Sequence, residues 1–323
     1  MINRRSVGAA LKVGISIALV WFILDSVGAK DAFARLMDAD PLWLAAAVAI
    51  AMVQILICTL RWCAVLSGLG AALTFRLAMK FWYIGAFFNQ ALPSGAGGDV
   101  VRGYLAYKKG VALPHVLSSL FLDRAATVLA LVVLVAAMLP FAPVDMENGR
   151  LFGHVVWVLL AVAILGLVFV MLLDRSPEKW TRFKFIRALH HLAGDTRRVL
   201  LHPVIAARLM VWSLLGHVNL VLVVFILFKA LNVEIALSDC LLLFPPVLLV
   251  QAVPISIAGW GVREGAMVAL FALAQVPSNA ALAVSILFGL TLMVTSIPGA
   301  ILWLSSPKDI NADEVEAFAD EAS

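Results

Sequence analysis

The sequence has little charge and few residues suited to cross-linking or metal binding. Only 14% of its 323 residues are charged and 63% are hydrophobic, whereas a soluble domain is about a quarter charged. This composition excludes a soluble domain. The three cysteines, Cys58, Cys63 and Cys240, lack the spacing of a zinc site or a disulfide framework. The six histidines show no metal spacing, and no ATP-binding glycine loop is present, so we expect no cofactor.

The sequence contains long apolar segments without charged residues. A stretch of about 20 apolar residues matches the thickness of the hydrocarbon core of a bilayer. Four segments of about this length contain no Asp, Glu, Lys or Arg: 41–60, 151–173, 210–228 and 279–304. The sequence therefore predicts an all-α, polytopic membrane protein.

The basic residues predict the topology, because Lys and Arg gather on the cytoplasmic side of a membrane. With the N-terminus inside, eighteen of them fall in the inner segments 1–12, 61–113 and 174–208 and the tail, and four in outer loops. We therefore expect a bacterial cytoplasmic membrane protein with both termini in the cytoplasm. Residues 1–307 form one membrane domain, and the acidic tail 308–323 is predicted to be disordered. Arg61 and Trp62 are interpreted as interface anchors.

An internal repeat relates two segments that are too broken to be ordinary spans. The pattern Q-A-x-P-x4-G-x2-V-R occurs at 90–102 and again at 251–263, an offset of 161 residues. Each copy follows an apolar segment too short to cross a bilayer, and each is followed by another short helix. Such a segment is typical of a re-entrant hairpin, which is tolerated only where protein or a water-filled cavity surrounds it.

The repeat predicts a fold of about six full transmembrane helices and two re-entrant helical hairpins. The halves are about 1–145 and 146–307. Each half has three crossings, and an odd number gives the two halves opposite orientations. This is the inverted-repeat plan of secondary transporters, in which the binding site lies at the broken helices.

The first break has the features of an anion site. Asp99 is predicted to be the N-cap of a short helix over 100–109 that ends at Gly110. Gly97 and Gly98 present free backbone N–H groups at its positive end, and Arg102 adds a guanidinium in its first turn. These groups together favour an anionic ligand.

The second break repeats this arrangement, with Arg263 beside Gly259 and Gly261. The alternative is structural: Arg102 pairs with Asp99, and Arg263 pairs with Glu264, to hold the hairpins closed. Because a structural pair need not recur at both breaks, we favour a ligand site.

Further polar residues lie near the breaks. Asp123 and Arg124 fall about nine residues into a predicted span, where ionisable groups usually line a cavity or pair with each other. Arg124 is either a third anion contact or the partner of Asp99. Asn89 and Gln90 before the first break, and Gln251 before the second, either bind a head group or satisfy open backbone groups. We favour the second role for these amides.

Several of these motifs resemble the lysylphosphatidylglycerol synthase transmembrane family, also called flippase-like domain proteins. The resemblance rests on a set of motifs that covers nearly the whole chain in the same order: Arg61-Trp62, Phe88-Asn89, Leu92-Pro93-Ser94-Gly95, Gly97-Gly98-Asp99-Val100-Val101-Arg102, Asp123-Arg124, Pro254-Ile255-Ser256 and Gly259-x-Gly261-Val262-Arg263-Glu264-Gly265. It implies a role in moving or handling envelope lipids. Because the soluble aminoacyl-transfer domain of some members is missing from these residues, we expect no lysyl transfer.

Three functional hypotheses follow. We favour a translocator for a lipid with an anionic, phosphate-bearing head group. We expect no enzyme activity. A polyprenyl-dependent glycosyltransferase would use the D-x-D motif of Asp38 and Asp40, although Asp40-Pro41 is also a natural helix start. An accessory subunit of a lipid, hopanoid or envelope-glycan pathway is the third. The expected partners are membrane lipids and no nucleic acid; homo-oligomers and a lipid-biosynthesis protein are left open.

Overall fold

The computed structural model describes residues 35–71, 73–91, 97–141, 149–173, 184–251, 259–305 and 318. Every regular element in that part of the chain is helical. The ten α-helices are α1 Pro41–Gly68, α2 Phe75–Ala91, α3 Gly97–Lys108, α4 Leu113–Met138, α5 Gly149–Leu172, α6 Lys184–Leu200, α7 Pro203–Ala230, α8 Leu237–Gln251, α9 Val262–Phe271 and α10 Ser278–Leu304. The predicted span near the N-terminus lies outside the described residues.

Among the described residues, four helices are long and apolar enough to cross a membrane: α1, α4, α7 and α10. Shorter apolar segments occur within α5 and as α8. On α5, Trp157, Leu165 and Phe169 are each more than half exposed. Large exposed apolar side chains at this density suit a lipid environment rather than water. The predicted helical, multi-pass membrane protein is therefore confirmed at this level.

Two helix starts show how side chains set the boundaries. α1 begins at Pro41 because the Asp40 carboxylate caps it and accepts the Leu42 N–H at 2.8 Å. α3 begins at Gly97 and not at Val100, so the prediction of Asp99 as its N-cap is wrong. The Asn89 side chain of α2 accepts the Gly98 N–H at 2.9 Å. This tertiary hydrogen bond satisfies an open N–H and lets the helix start earlier, with Asp99 in its first turn.

The internal repeat extends to whole helices. Adding 161 to the first residues of α1 and α2 gives 202 and 236, and α7 and α8 begin at 203 and 237. α9 and α10 begin four residues later than this offset gives for α3 and α4, at 262 and 278 instead of 258 and 274. The packing repeats too: α1 contacts α10 as α7 contacts α4, and α2 contacts α10 as α8 contacts α4. The order and the packing of the four helices are therefore similar in the two halves.

The symmetric helices α1 and α7 run in opposite directions. The Asp40 N–H donates to the Ala230 carbonyl at 2.9 Å, and the Asn219 amide donates to the Ile50 carbonyl at 3.2 Å. At the other end of the pair, Gly68 packs against Ile205. The two helices that the sequence repeat relates are therefore antiparallel.

α2 and α3 form an antiparallel pair, and neither helix is long enough to span a membrane by itself. Gly98 contacts both Asn89 and Gly85, and further from the break the Arg102 guanidinium lies over Trp82. With 17 and 12 residues, both helices are shorter than the roughly 20 residues that a bilayer requires. α8 and α9 pack together in the second half, with 15 and 10 residues.

Phe318 packs against α3. Its side chain is buried, and its ring lies 5.9 Å from that of Tyr104 and 5.7 Å from that of Tyr107, both on α3. The rest of the predicted acidic tail lies outside the described residues.

Close packing of α10 on α2 is expected to depend on Gly299. A β-carbon there would collide with the Tyr83 carbonyl oxygen, so Gly299→Ala should lower the free energy of unfolding by about 1–3 kcal/mol. The matched control is Gly166→Ala on α5, where a β-carbon meets nothing within 4 Å; it should be neutral or stabilising by about 0.5–1 kcal/mol. Thermal unfolding of the detergent-purified proteins measures both, and equal shifts would contradict the packing described.

Candidate anion-binding site

Arg102 is buried between two tryptophans. Its side chain is only 1% exposed, and the guanidinium carbon lies 4.8 Å from the ring centroid of Trp62 and 4.0 Å from that of Trp82. These rings come from α1 and α2, while Arg102 comes from α3. The faces of the guanidinium are therefore covered by aromatic rings, which attract a cation, and only its edges can form hydrogen bonds.

One edge of Arg102 contacts two carboxylates. Its Nη2 donates to Asp99 Oδ1 at 3.0 Å and to Asp123 Oδ2 at 3.1 Å. Asp123 also accepts two hydrogen bonds from Arg61, at 2.7 Å from Nε and 3.2 Å from Nη2. The proposed structural pair of Arg102 and Asp99 is thus present, and Asp123 joins it from α4.

Arg124 completes the cluster and reaches its edge. Its Nε donates to Asp99 Oδ2 at 2.6 Å, and its side chain is 54% exposed. The alternative that Arg124 pairs with Asp99 is therefore confirmed. Among the described residues, three guanidinium groups meet two carboxylates in this cluster.

Three N–H donors in the cluster have no acceptor among the described residues. They are Nε and Nη1 of Arg102 and Nε1 of Trp82, all of which are buried. A buried donor without an acceptor is costly, at about 1–3 kcal/mol and more for a charged group. Donors of this kind, two of them on a guanidinium, are suited to the oxygen atoms of an anion.

Arg263 occupies the equivalent position in the second half, but its environment is closed. Its Nη2 donates to Glu264 Oε1 at 2.6 Å, and its Nε donates to the same oxygen at 3.2 Å and to Ser285 Oγ at 3.1 Å. Trp260 lies 4.8 Å from the guanidinium. Arg263 and Glu264 are 1% and 2% exposed. The structural alternative at this break, a pair of Arg263 with Glu264, is therefore present, and the pair is electrically neutral.

Glycines shape the second break. Gly259 and Gly261 have φ angles of 79° and 86°, a region that side chains disfavour. Gln251 lies so close to Gly259 that a β-carbon there would collide with it. The Gly261 N–H donates to Glu264 Oε2 at 2.6 Å, which satisfies an open N–H at the start of α9.

The two arginines lie at different levels of the bundle. Gly289 of α10 faces Arg263, whereas Gly299 of α10 contacts Tyr83, the neighbour of Trp82. Ten residues of helix separate these glycines, which is about 15 Å. α10 therefore runs from one arginine cluster towards the other.

The remaining predicted site residues, Asn89, Gln90 and Gly97, lie on either side of the first break. Asn89 is a cap for Gly98, in keeping with the favoured role for the amides. Gln90 lies in the last turn of α2 and is only partly buried. Gly97 begins α3 and is buried.

Sequence reasoning missed the importance of Arg61, Trp62 and Trp82. The interpretation of Arg61 and Trp62 as interface anchors is wrong, because they are 5% and 0% exposed and lie seven and six residues before the end of α1. Arg61 remains inside the bundle because it is paired with Asp123. The available signal was an opposite charge at similar depth in another predicted span.

Asp123 is expected to be the residue on which the cluster's stability depends. Asp123→Asn would leave Arg61 buried without a counter-ion, so the free energy of unfolding should fall by about 3–5 kcal/mol. Asp38→Asn removes an exposed carboxylate and should have almost no effect. Unfolding of the purified proteins in detergent measures the difference, and an Asp123→Asn protein as stable as the control would show that the pairing is dispensable.

Comparison with known proteins extends the resemblance to most of the chain. The sequence model of the family described as the lysylphosphatidylglycerol synthase TM region matches residues 9–299. This range includes both arginine clusters and all ten helices except the end of α10. No curated protein matches the chain significantly. The chain belongs to the lysylphosphatidylglycerol synthase transmembrane family.

Proposed function

We propose that this protein moves a lipid with an anionic, phosphate-bearing head group between the two leaflets of the bilayer. The family match supports a role connected with membrane lipids. The acyl chains would stay in the surrounding lipid, and only the head group would enter the protein. The site of action would be the bacterial cytoplasmic membrane, with both termini in the cytoplasm.

The observation that carries this proposal is the pair of unsatisfied nitrogen atoms of Arg102. A guanidinium buried at membrane depth is expensive unless it is fully paired, yet Nε and Nη1 have no acceptor among the described residues. The charged oxygen atoms of a phosphate group are strong acceptors for the N–H groups of an arginine. A head group of this kind would supply the acceptors that these nitrogen atoms lack.

Arg124 would form the entrance to this site. It is half exposed and binds Asp99, which in turn binds Arg102. An anion could therefore meet an accessible guanidinium first and the buried one next. The water molecules bound to the head group would thus be replaced by arginine contacts one step at a time.

The inverted halves would provide the path across the bilayer. We propose that α2 with α3, and α8 with α9, enter and leave the membrane on the same side, since these helices are too short to span it. The full fold would then have six crossings, as the sequence predicts. The Arg102 and Arg263 clusters, at different levels along α10, would serve the two leaflets.

The other two hypotheses have weaker support. In the glycosyltransferase hypothesis Asp40 would hold a metal, but its carboxylate caps α1, so we propose no enzyme activity. An accessory subunit would need no unsatisfied guanidinium inside the bundle. Since the sequence has no ATP-binding loop, a gradient or downstream consumption of the lipid would drive net movement.

Removing Arg102 should abolish lipid movement without unfolding the protein. In Arg102→Ala, Asp123 still has Arg61 and Asp99 still has Arg124, so both carboxylates remain paired. We expect the rate of translocation of a fluorescent phosphatidylglycerol in proteoliposomes, measured by dithionite quenching, to fall to that of protein-free vesicles.

The control for this experiment is Arg208→Ala, which removes an exposed arginine of α7 and should leave the rate unchanged. Arg102→Ala protein that inserts normally and still translocates at the wild-type rate would refute the proposal. Loss of a co-purifying protein instead of lipid movement would favour the accessory subunit, and dependence on Asp38 and Asp40 would favour an enzyme.

A further inference from the structure

The two arginine clusters have the same position in the repeat but different charge. The offset of 161 places Arg61 on Leu222, Asp123 on Val284 and Arg124 on Ser285. The second half therefore lacks the two extra arginines and the aspartate of α4. What it has instead is Glu264, and the position equivalent to Glu264 in the first half is Gly103.

The Glu264 carboxylate is bound as an external anion would be. Its Oε1 accepts from Arg263 at 2.6 Å and from the Ser285 hydroxyl at 3.0 Å. Its Oε2 accepts from the Gly261 N–H at 2.6 Å. A guanidinium, a hydroxyl and a backbone N–H at the start of a helix are the groups that commonly bind phosphate.

From these contacts we propose that Glu264 is a built-in substitute for the ligand, which keeps the second arginine site occupied at rest. This inference rests on the proposed function, because it assumes that the Arg102 cluster binds an anionic head group. The wild-type protein then holds one head group, at Arg102. A head group reaches Arg263 only by displacing the carboxylate of Glu264.

The two sites consequently differ in affinity. The first site gains acceptors for the unpaired Nε and Nη1 of Arg102 when an anion binds. The second exchanges one anion for another, and the displaced carboxylate must find a new partner or return to water. A buried carboxylate without a partner is strongly disfavoured, so the second site binds weakly and releases its head group readily.

Removal of the charge at Glu264 tests the inference. The probe is dioctanoyl-phosphatidylglycerol, counted on the protein by native mass spectrometry in a neutral detergent. Wild type should hold one molecule, and Glu264→Gln should hold two, with the second bound roughly tenfold or more tightly than in wild type. Glu234→Gln, which removes an exposed carboxylate of the same half, should still hold one. Adding Arg263→Gln to Glu264→Gln should return the count to one.

A reciprocal graft covers the case in which Glu264→Gln does not fold. Gly103→Glu places a carboxylate next to Arg102, as Glu264 lies next to Arg263, and the nearest atom to a β-carbon at this position is the flexible end of Leu120. This variant should lose its bound head group, whereas Gly103→Gln, of the same size but uncharged, should retain it.

The outcomes separate the two proposals. One bound molecule in Glu264→Gln, or a bound molecule retained in Gly103→Glu, overturns the role of Glu264. Arg102→Ala protein that still binds the probe as wild type does overturns the proposed function itself.

Discussion

The structure depends on the cost of burying guanidinium charge in an apolar bundle. Asp123 accepts hydrogen bonds from Arg61 of α1 and Arg102 of α3, so one carboxylate connects three helices. A charge at membrane depth is tolerated only when it is paired or lines a cavity. Separation of these helices would leave Arg61 without its partner Asp123 and Arg102 with Asp99 alone. The short helix α3 is held against the long helices α1 and α4 by this requirement and by the tryptophans that cover Arg102.

Duplication and divergence account for different properties of the two halves. The repeated helices α1–α4 and α7–α10 each contain a break with a buried arginine nearby. The differences lie in charge: among the described residues the first cluster has three arginines and two aspartates, and the second pairs one arginine with one glutamate. A repeated backbone thus carries two clusters that are electrostatically unequal, and in our proposal this difference sets the preferred resting position of an anionic head group.

Much of the fold was predictable, because hydropathy and helix signals act locally. Three of the four long helices, α1, α7 and α10, contain charge-free apolar segments. Asp40 and Pro41 mark the start of α1, and Gly110 follows the end of α3. The repeat was visible because six identities survive at one fixed offset. The predicted start of α3 was wrong, because the local sequence favours Asp99 as the N-cap. In the structure the Gly98 N–H is capped by Asn89, which lies on the preceding helix.

By itself the sequence determined that the chain is helical, crosses a membrane and contains two matching breaks with an arginine each. Only the tertiary structure decided which charges meet, because Arg61, Arg102 and Asp123 are separated by 21 to 62 residues along the chain. The same holds for Trp82, whose ring covers a cation twenty positions away. Pairing across helices depends on how the spans pack, and nothing in the local pattern of apolar residues specifies that packing.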